Sequence, residues 1–274
     1  MKKSKIIVPA LLILTLSTAA AVTGTVAWFT GSRLVTISAS SITAFDPEEG
    51  LKVTLAAGAH TSVTTAVGQS STAAAVTIGG LRDASVDMTT ATPTVYKAVL
   101  NAEGTAPASF AAVSSPYNAQ TIKVNNVDTQ LGYAATYTAT FALTEGASNQ
   151  NYNLIYDHTK MVATNTGSQA IAPGLRIGIK TSSAYVVIAP FKASGDLEYV
   201  SGTTTDDVST YSSNVFRSAT TGNQQIATGL TGTGTIVATV FTWFEGTDAA
   251  TISTNVDSSK SLSVSLGFRI EPAA

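Results

Sequence analysis

Two histidines, His60 and His158, are the whole supply of imidazole in this sequence, and cysteine is absent. That removes disulfides, thiolate metal sites and a cysteine nucleophile at once. A zinc-protease helix needs His-Glu-x-x-His, because both imidazoles must face one metal. His60 sits in Gly58-Ala59-His60-Thr61 and His158 in Tyr156-Asp157-His158-Thr159, so neither has that context. A Ser-His-Asp arrangement is compatible with the composition, but no Gly-x-Ser-x-Gly elbow occurs. Asp157-His158 reads as a loop pair. Paired acids stand at Glu48-Glu49 and Asp206-Asp207. Asp46, Glu48 and Glu49 have the oxygens to hold calcium with help from backbone carbonyls, and they read equally as solvated turn charge. Tyr199 and Tyr211 could stack on sugars or pack at a rim. No glycine-rich loop joins a strand to a helix, so nucleotide binding has no support. The expectation is a protein with no catalytic residue, no metal and no cofactor.

Charge narrows the partners. Charged residues make up 12%, with 15 Lys+Arg against 17 Asp+Glu. There is no polybasic surface to meet nucleic acid. The three lysines Lys2, Lys3 and Lys5 open the chain, followed by the apolar run Ile6–Leu14 and then small residues. Charged start, apolar middle and small-residue exit are the layout of a secretory signal. The rival reading is a retained helix, since Ile6 to Phe29 is long enough to cross a bilayer. Two cleavage sites compete, after Ala19-Ala20-Ala21 and after Thr25-Val26-Ala27. The second sets Thr25 and Ala27 before the cut and makes Trp28 the first mature residue. Removing residues 1–27 takes away three lysines and no acid, so the net charge of −2 becomes −5. No cysteine follows, which excludes a lipidated-cysteine anchor. The mature form is expected outside the cell, with no stable membrane insertion.

Elements with a two-residue period must position whatever this protein presents. Tyr133, Ala135, Tyr137, Ala139, Phe141 and Leu143 alternate with alanine and threonine. Leu262, Val264, Leu266, Phe268 and Ile270 alternate with serine, glycine and arginine. Both are strands with one buried face. Further candidates are 34–40, 51–55, 75–78, 94–100, 121–126, 160–164, 175–181, 184–189, 197–200 and 235–244, about a dozen strands in all. Residues 235–244 are apolar on both faces and read as a central or doubly covered strand. Residues 58–75 read as a loop or weak hairpin, and 147–156 and 206–211 as sites for short helical turns. The fold class is all-β, a jelly roll or related antiparallel β-sandwich following a cleaved N-terminal signal peptide. The expected organisation is signal peptide 1–27, an N-terminal strand segment 28–40, and one sandwich domain 41–274.

The junction Gly24-Thr25-Val26-Ala27-Trp28-Phe29-Thr30-Gly31-Ser32 resembles that of the TasA/camelysin-like family of secreted proteins. There a small residue, any residue and alanine precede the cut, and aromatics, a polar turn and a strand follow. Arg33–Ser40 matches that strand and Leu51–Leu55 the next. Ala163-Thr164-Asn165-Thr166-Gly167-Ser168 with Leu175-Arg176-Ile177 resembles the "NTGS…R" strand pair of related exported proteins. Trp243-Phe244-Glu245-Gly246-Thr247-Asp248 resembles a "W-x-E-G-x-D" segment near their C-termini. The resemblance implies a jelly-roll subunit, export through a dedicated SipW-type signal peptidase, and a homopolymeric extracellular or biofilm-matrix fibre with an accessory or anchoring subunit. It implies that the mature N-terminal strand is donated to the next subunit, with Trp28, Phe29, Leu34, Val35, Ile37 and Ala39 as the polymerisation residues. In a regular strand, Val35, Ile37 and Ala39 share one face and Leu34, Thr36 and Ser38 the other. Some family members are classed as metallopeptidases, but this sequence has no helix-borne metal motif. The expectations are therefore a non-enzymatic filament subunit or, as the alternative, a monomeric adhesin or glycan-binding sandwich.

Overall fold

A computed structural model of the chain describes residues 35–44, 50–69, 73–100, 107–124, 127–144, 150–157, 160–166, 174–190, 223–246 and 261–273. These residues are nearly all strand, as two-residue periodicity demands. In chain order the strands are β1 (Val35–Ala44), β2 (Leu51–Ala57), β3 (Thr61–Thr65), β4 (Val67–Gly68), β5 (Ala74–Leu81), β6 (Asp83–Asp87), β7 (Thr94–Leu100), β8 (Pro107–Val113) and β9 (Asn118–Val124). They continue with β10 (Val127–Gly132), β11 (Ala135–Leu143), β12 (Tyr152–Tyr156), β13 (Val162–Thr166), β14 (Leu175–Lys180), β15 (Tyr185–Ile188), β16 (Gln224–Leu230), β17 (Thr235–Glu245) and β18 (Ser261–Pro272).

Among the described residues, two sheets of nine strands each form an all-β sandwich. The first runs β16-β12-β18-β1-β5-β10-β9, with β13 also on β18 and β3 also on β5. The second runs β4-β2-β11-β17-β6-β7-β8, with β14 bridging β17 and β15. The sheets are mixed rather than purely antiparallel: β1 with β18, β5 with β10 and β6 with β17 run parallel. Alternation alone does not reveal this, because it reports which face is buried and not strand direction.

The core lies between the sheets. Tyr137, Ala139 and Phe141 of β11 and Leu262, Val264, Leu266 and Phe268 of β18 are buried as the alternation foretells. Phe141 and Phe268 meet with ring centroids 4.9 Å apart. A second, smaller core lies on the outer face of the second sheet, where Phe241 and Trp243 of β17 pack with Ala84, Val86, Met88, Val95, Ala134 and Val187. Ala238, Val240 and Phe244 of the same strand join the main core. The C-terminal half of β17 is therefore covered on both faces, while Val237 in its first half is 52% exposed.

Several elements differ from expectation. Residues 152–156, read as a helical turn, form strand β12 with a buried face, paired to β16 and β18. The Thr/Ala-rich stretch 58–75, read as a loop or weak hairpin, contains β3, antiparallel to β5, and between them the short β4 on β2 in the other sheet. The expected strand 121–126 overlaps β9, which forms a hairpin with β10. β6, β8 and β16 had no clear apolar alternation. Among residues singled out above, Thr25, Ala27, Trp28, Phe29, Leu34, Asp46, Glu48, Glu49, His158, Tyr199, Asp206, Asp207 and Tyr211 lie outside the described residues.

Candidate functional site

β1 carries Val35, Ile37 and Ala39 of the residues expected to act, and its place in the sheet is the candidate site. Val35, Thr36, Ile37, Ile42 and Thr43 are β-branched and favour extended backbone. β1 lies inside the first sheet, antiparallel to β5 on one side and parallel to β18 on the other. β18 is otherwise paired to β12 and β13, and β5 to β3 and, at its end, β10. The two strands thus form a slot whose inner edges are satisfied by β1.

A bulge divides β1. Ile37 aligns with Leu262 on β18 and Ile78 on β5, whereas Ser40 aligns with Val264 and Val76, and Ile42 with Leu266 and Ala74. Every one of those partners is buried in the core. The extra residue between Ile37 and Ser40 reverses the alternation. After the bulge, the core-side positions are Ser40 and Ile42. The bulge interrupts the regular strand expected from sequence: Ile37 pairs with Leu262, and Ala39, two places on, pairs with the adjacent Ser263. The strand also extends past Ser40 to Ala44, and Ile42, not among the expected residues, is fully buried.

Ser40 is 1% exposed in the apolar interior. Its Oγ hydrogen-bonds across the sandwich to the hydroxyl of Tyr137 on β11, at 3.0 Å. Burial pushes the Tyr137 hydroxyl up to about 12, and the bond to Ser40 offsets part of that rise. The pair is neutral at ordinary pH and joins the first strand to the opposite sheet. Sequence reasoning missed it, although tyrosine instead of phenylalanine on a core face signals a hydroxyl that needs a partner.

Three other residues of the resemblance, Arg176, Trp243 and Glu245, lie in the second sheet. Arg176 aligns with Trp243 between β14 and β17, and Glu245 with Ala84 between β17 and β6. Ser85 donates its hydroxyl proton to Glu245 Oε1, and Trp243 Nε1 donates to Glu245 Oε2 at 3.2 Å. Arg176 Nη1 donates to the Leu175 carbonyl at 2.9 Å. Arg176 is 1% exposed, and Ser85, Trp243 and Glu245 are fully buried. A carboxylate closed off this way has no face to offer a substrate, and it ties β6 to β17.

Of the two histidines, His60 lies among the described residues. His60 occupies the β2–β3 turn with φ of 54°, and its carbonyl accepts from Gly79 N at 2.8 Å. Desolvation lowers its pKa, opposed by hydrogen bonds to the Pro116 backbone and the Asn118 side chain. Asp157 is nearly buried and its Oδ2 lies 3.2 Å from Arg269 Nε. Among the described residues, no three His, Asp or Glu side chains gather as a metal-ligand set. No family model matches the chain, and the search of curated proteins finds no match.

Proposed function

We propose that this protein is a structural subunit of an extracellular filament, polymerising head-to-tail by passing β1 of one copy into the β5–β18 slot of the next. The observation that carries this reading is the position of β1: the first described strand in the chain is also an interior strand, held between two partners that are each paired on their far sides. Six residues, 45–50, join it to β2 in the opposite sheet. An extended segment entering such a slot gains main-chain hydrogen bonds on both edges, and its alternate side chains fill the core. Transfer between copies keeps every one of these contacts. A head-to-tail transfer that does not close on itself makes a filament.

Within one chain β1 competes for its own slot at high effective concentration, so exchange needs added gain. Trp28 and Phe29, ahead of the strand, are the anchors proposed to supply it on the acceptor copy, at roughly 1.5–3 kcal/mol for each large side chain buried. The secretory layout of residues 1–27 and the family resemblance of the junction support the same reading. The proposed role is non-enzymatic, and the closed Glu245 cluster is compatible with it. Negative-stain microscopy of the mature protein beginning at Trp28 tests this: unbranched filaments are expected. A protein that stays monomeric at high concentration contradicts it and favours the adhesin reading.

A further inference from the structure

β1 is poorly patterned for register. It reads Val-Thr-Ile-Ser-Ala-Ser-Ser-Ile-Thr-Ala, in which small and hydroxylated residues outnumber large apolar ones. A strand with so weak an alternation pairs in several registers at similar cost. A filament built by strand exchange needs one.

We infer that Tyr137 is the register-determining residue of the β1 slot: its buried hydroxyl selects the alignment that sets Ser40 opposite it. This rests on the reading of β1 as the exchanged strand and names what fixes its alignment. In the observed register, Ser40 meets Tyr137, and Ile42 fills the next core position against Leu266 and Ala74. Within β1, a serine followed two places on by a large aliphatic occurs once, at Ser40-Ser41-Ile42.

The alternatives fail on different counts. A retreat by two brings Ser38 to Tyr137 but puts the Ser40 hydroxyl in the position of Ile42. A slip by one turns the strand over and moves Ile42 to the outer face. An advance by two keeps Ile42 in the core and sets Ala44 beyond it, so apolar burial discriminates against it weakly. The Tyr137 hydroxyl does so strongly, because it would face Ile42 with no partner in a dry interior. Buried polar groups in coiled coils fix register in the same way. The bulge between Ile37 and Ser40 agrees with this: from Ser40 onward both ladders are regular.

The chain has no cysteine, so engineered disulfides report register cleanly. Ser41 pairs with Ala75 on β5, and an advance or retreat by two brings it opposite Thr77 or Ala73. Dilute monomer carrying S41C with A75C, T77C or A73C is oxidised in three backgrounds: otherwise unaltered, S40A, and S40A/Y137F. In the unaltered background the 41–75 disulfide is expected to exceed the others by about tenfold or more. In S40A/Y137F the 41–77 disulfide should rise to within about threefold of 41–75, since neither register then strands a hydroxyl. S40A, a small truncation, keeps the test open if the double variant does not fold, and in it the 41–73 disulfide should rise as Ser38 reaches Tyr137. An unchanged preference for 41–75 in the variants that fold overturns the inference. Both engineered thiols lie in one chain, so a failure of exchange between copies leaves this readout intact and is judged separately, by disulfides between chains.

Discussion

Tyr137 and Ser40 bring two hydroxyls into the main core, and each is tolerable there because of the other. Tyr137→Phe leaves Ser40 buried without its partner and should destabilise the fold by about 1–3 kcal/mol. Replacing both, as S40A/Y137F, should recover part of that loss, and urea unfolding of the four proteins in the cycle measures the coupling. The same pair makes a pH prediction. Tyr137 ordinarily titrates at 10 and in the fold at about 12, because burial penalises the phenolate. Its neutral form is therefore favoured by folding: the contribution is complete below pH 10 and is lost as pH rises from 10 through 12. Thermal melts should show a smaller loss over that window in Tyr137→Phe than in the parent. His60 acts at the other end of the scale. Its pKa lies below the ordinary 6.5, so the fold favours neutral imidazole, and stability should fall as pH drops below 6.5. His60→Gln should flatten that acid limb.

At the level of elements, β17 shows how much was legible. Its double apolar faces announced a covered strand, and the C-terminal half is one, with Phe244 in the main core and Trp243 in the second. The clean alternation of β11 and β18 likewise fixed their buried faces, because a half-buried strand obeys a two-residue period. β1 was legible as a strand, but its bulge was not, since a bulge leaves no mark in so small and polar a stretch. Nor could the site be read: Ser40–Tyr137 spans 97 positions and joins opposite sheets, and no local pattern encodes such a contact. The Trp243–Glu245 spacing was visible, whereas its partner Ser85 lies 160 positions from Glu245. That cluster has an element-level consequence. β6 meets β17 through two aligned residue pairs, so the Glu245 carboxylate reinforces a short junction. Glu245→Ala leaves the Ser85 hydroxyl and the Trp243 N–H without an acceptor, at about 1–3 kcal/mol each. Hydrogen exchange should speed up in β6, β7 and β8 and stay slow in β11 and in β17 before Phe241.

For the molecule as a whole, assembly depends on which copy's β1 fills a given slot. A folded monomer has already filled its own, so growth from monomer should be slow, and brief unfolding followed by dilution should accelerate it by freeing β1. Ile42→Asp places a charge in the core position that every copy of β1 must occupy, with a desolvation cost of several kcal/mol, and should abolish assembly along with stable folding. The most direct test of exchange mixes two variants, one carrying only S41C and the other only A75C, each unable to form the disulfide within its own chain. The mixture is assembled after brief unfolding, oxidised, and run on a non-reducing gel. Exchange predicts a dimeric band containing one chain of each variant, because position 41 of one copy lies opposite position 75 of the next. Filaments that form normally yet give no such band would contradict the account and leave β1 in its own sheet.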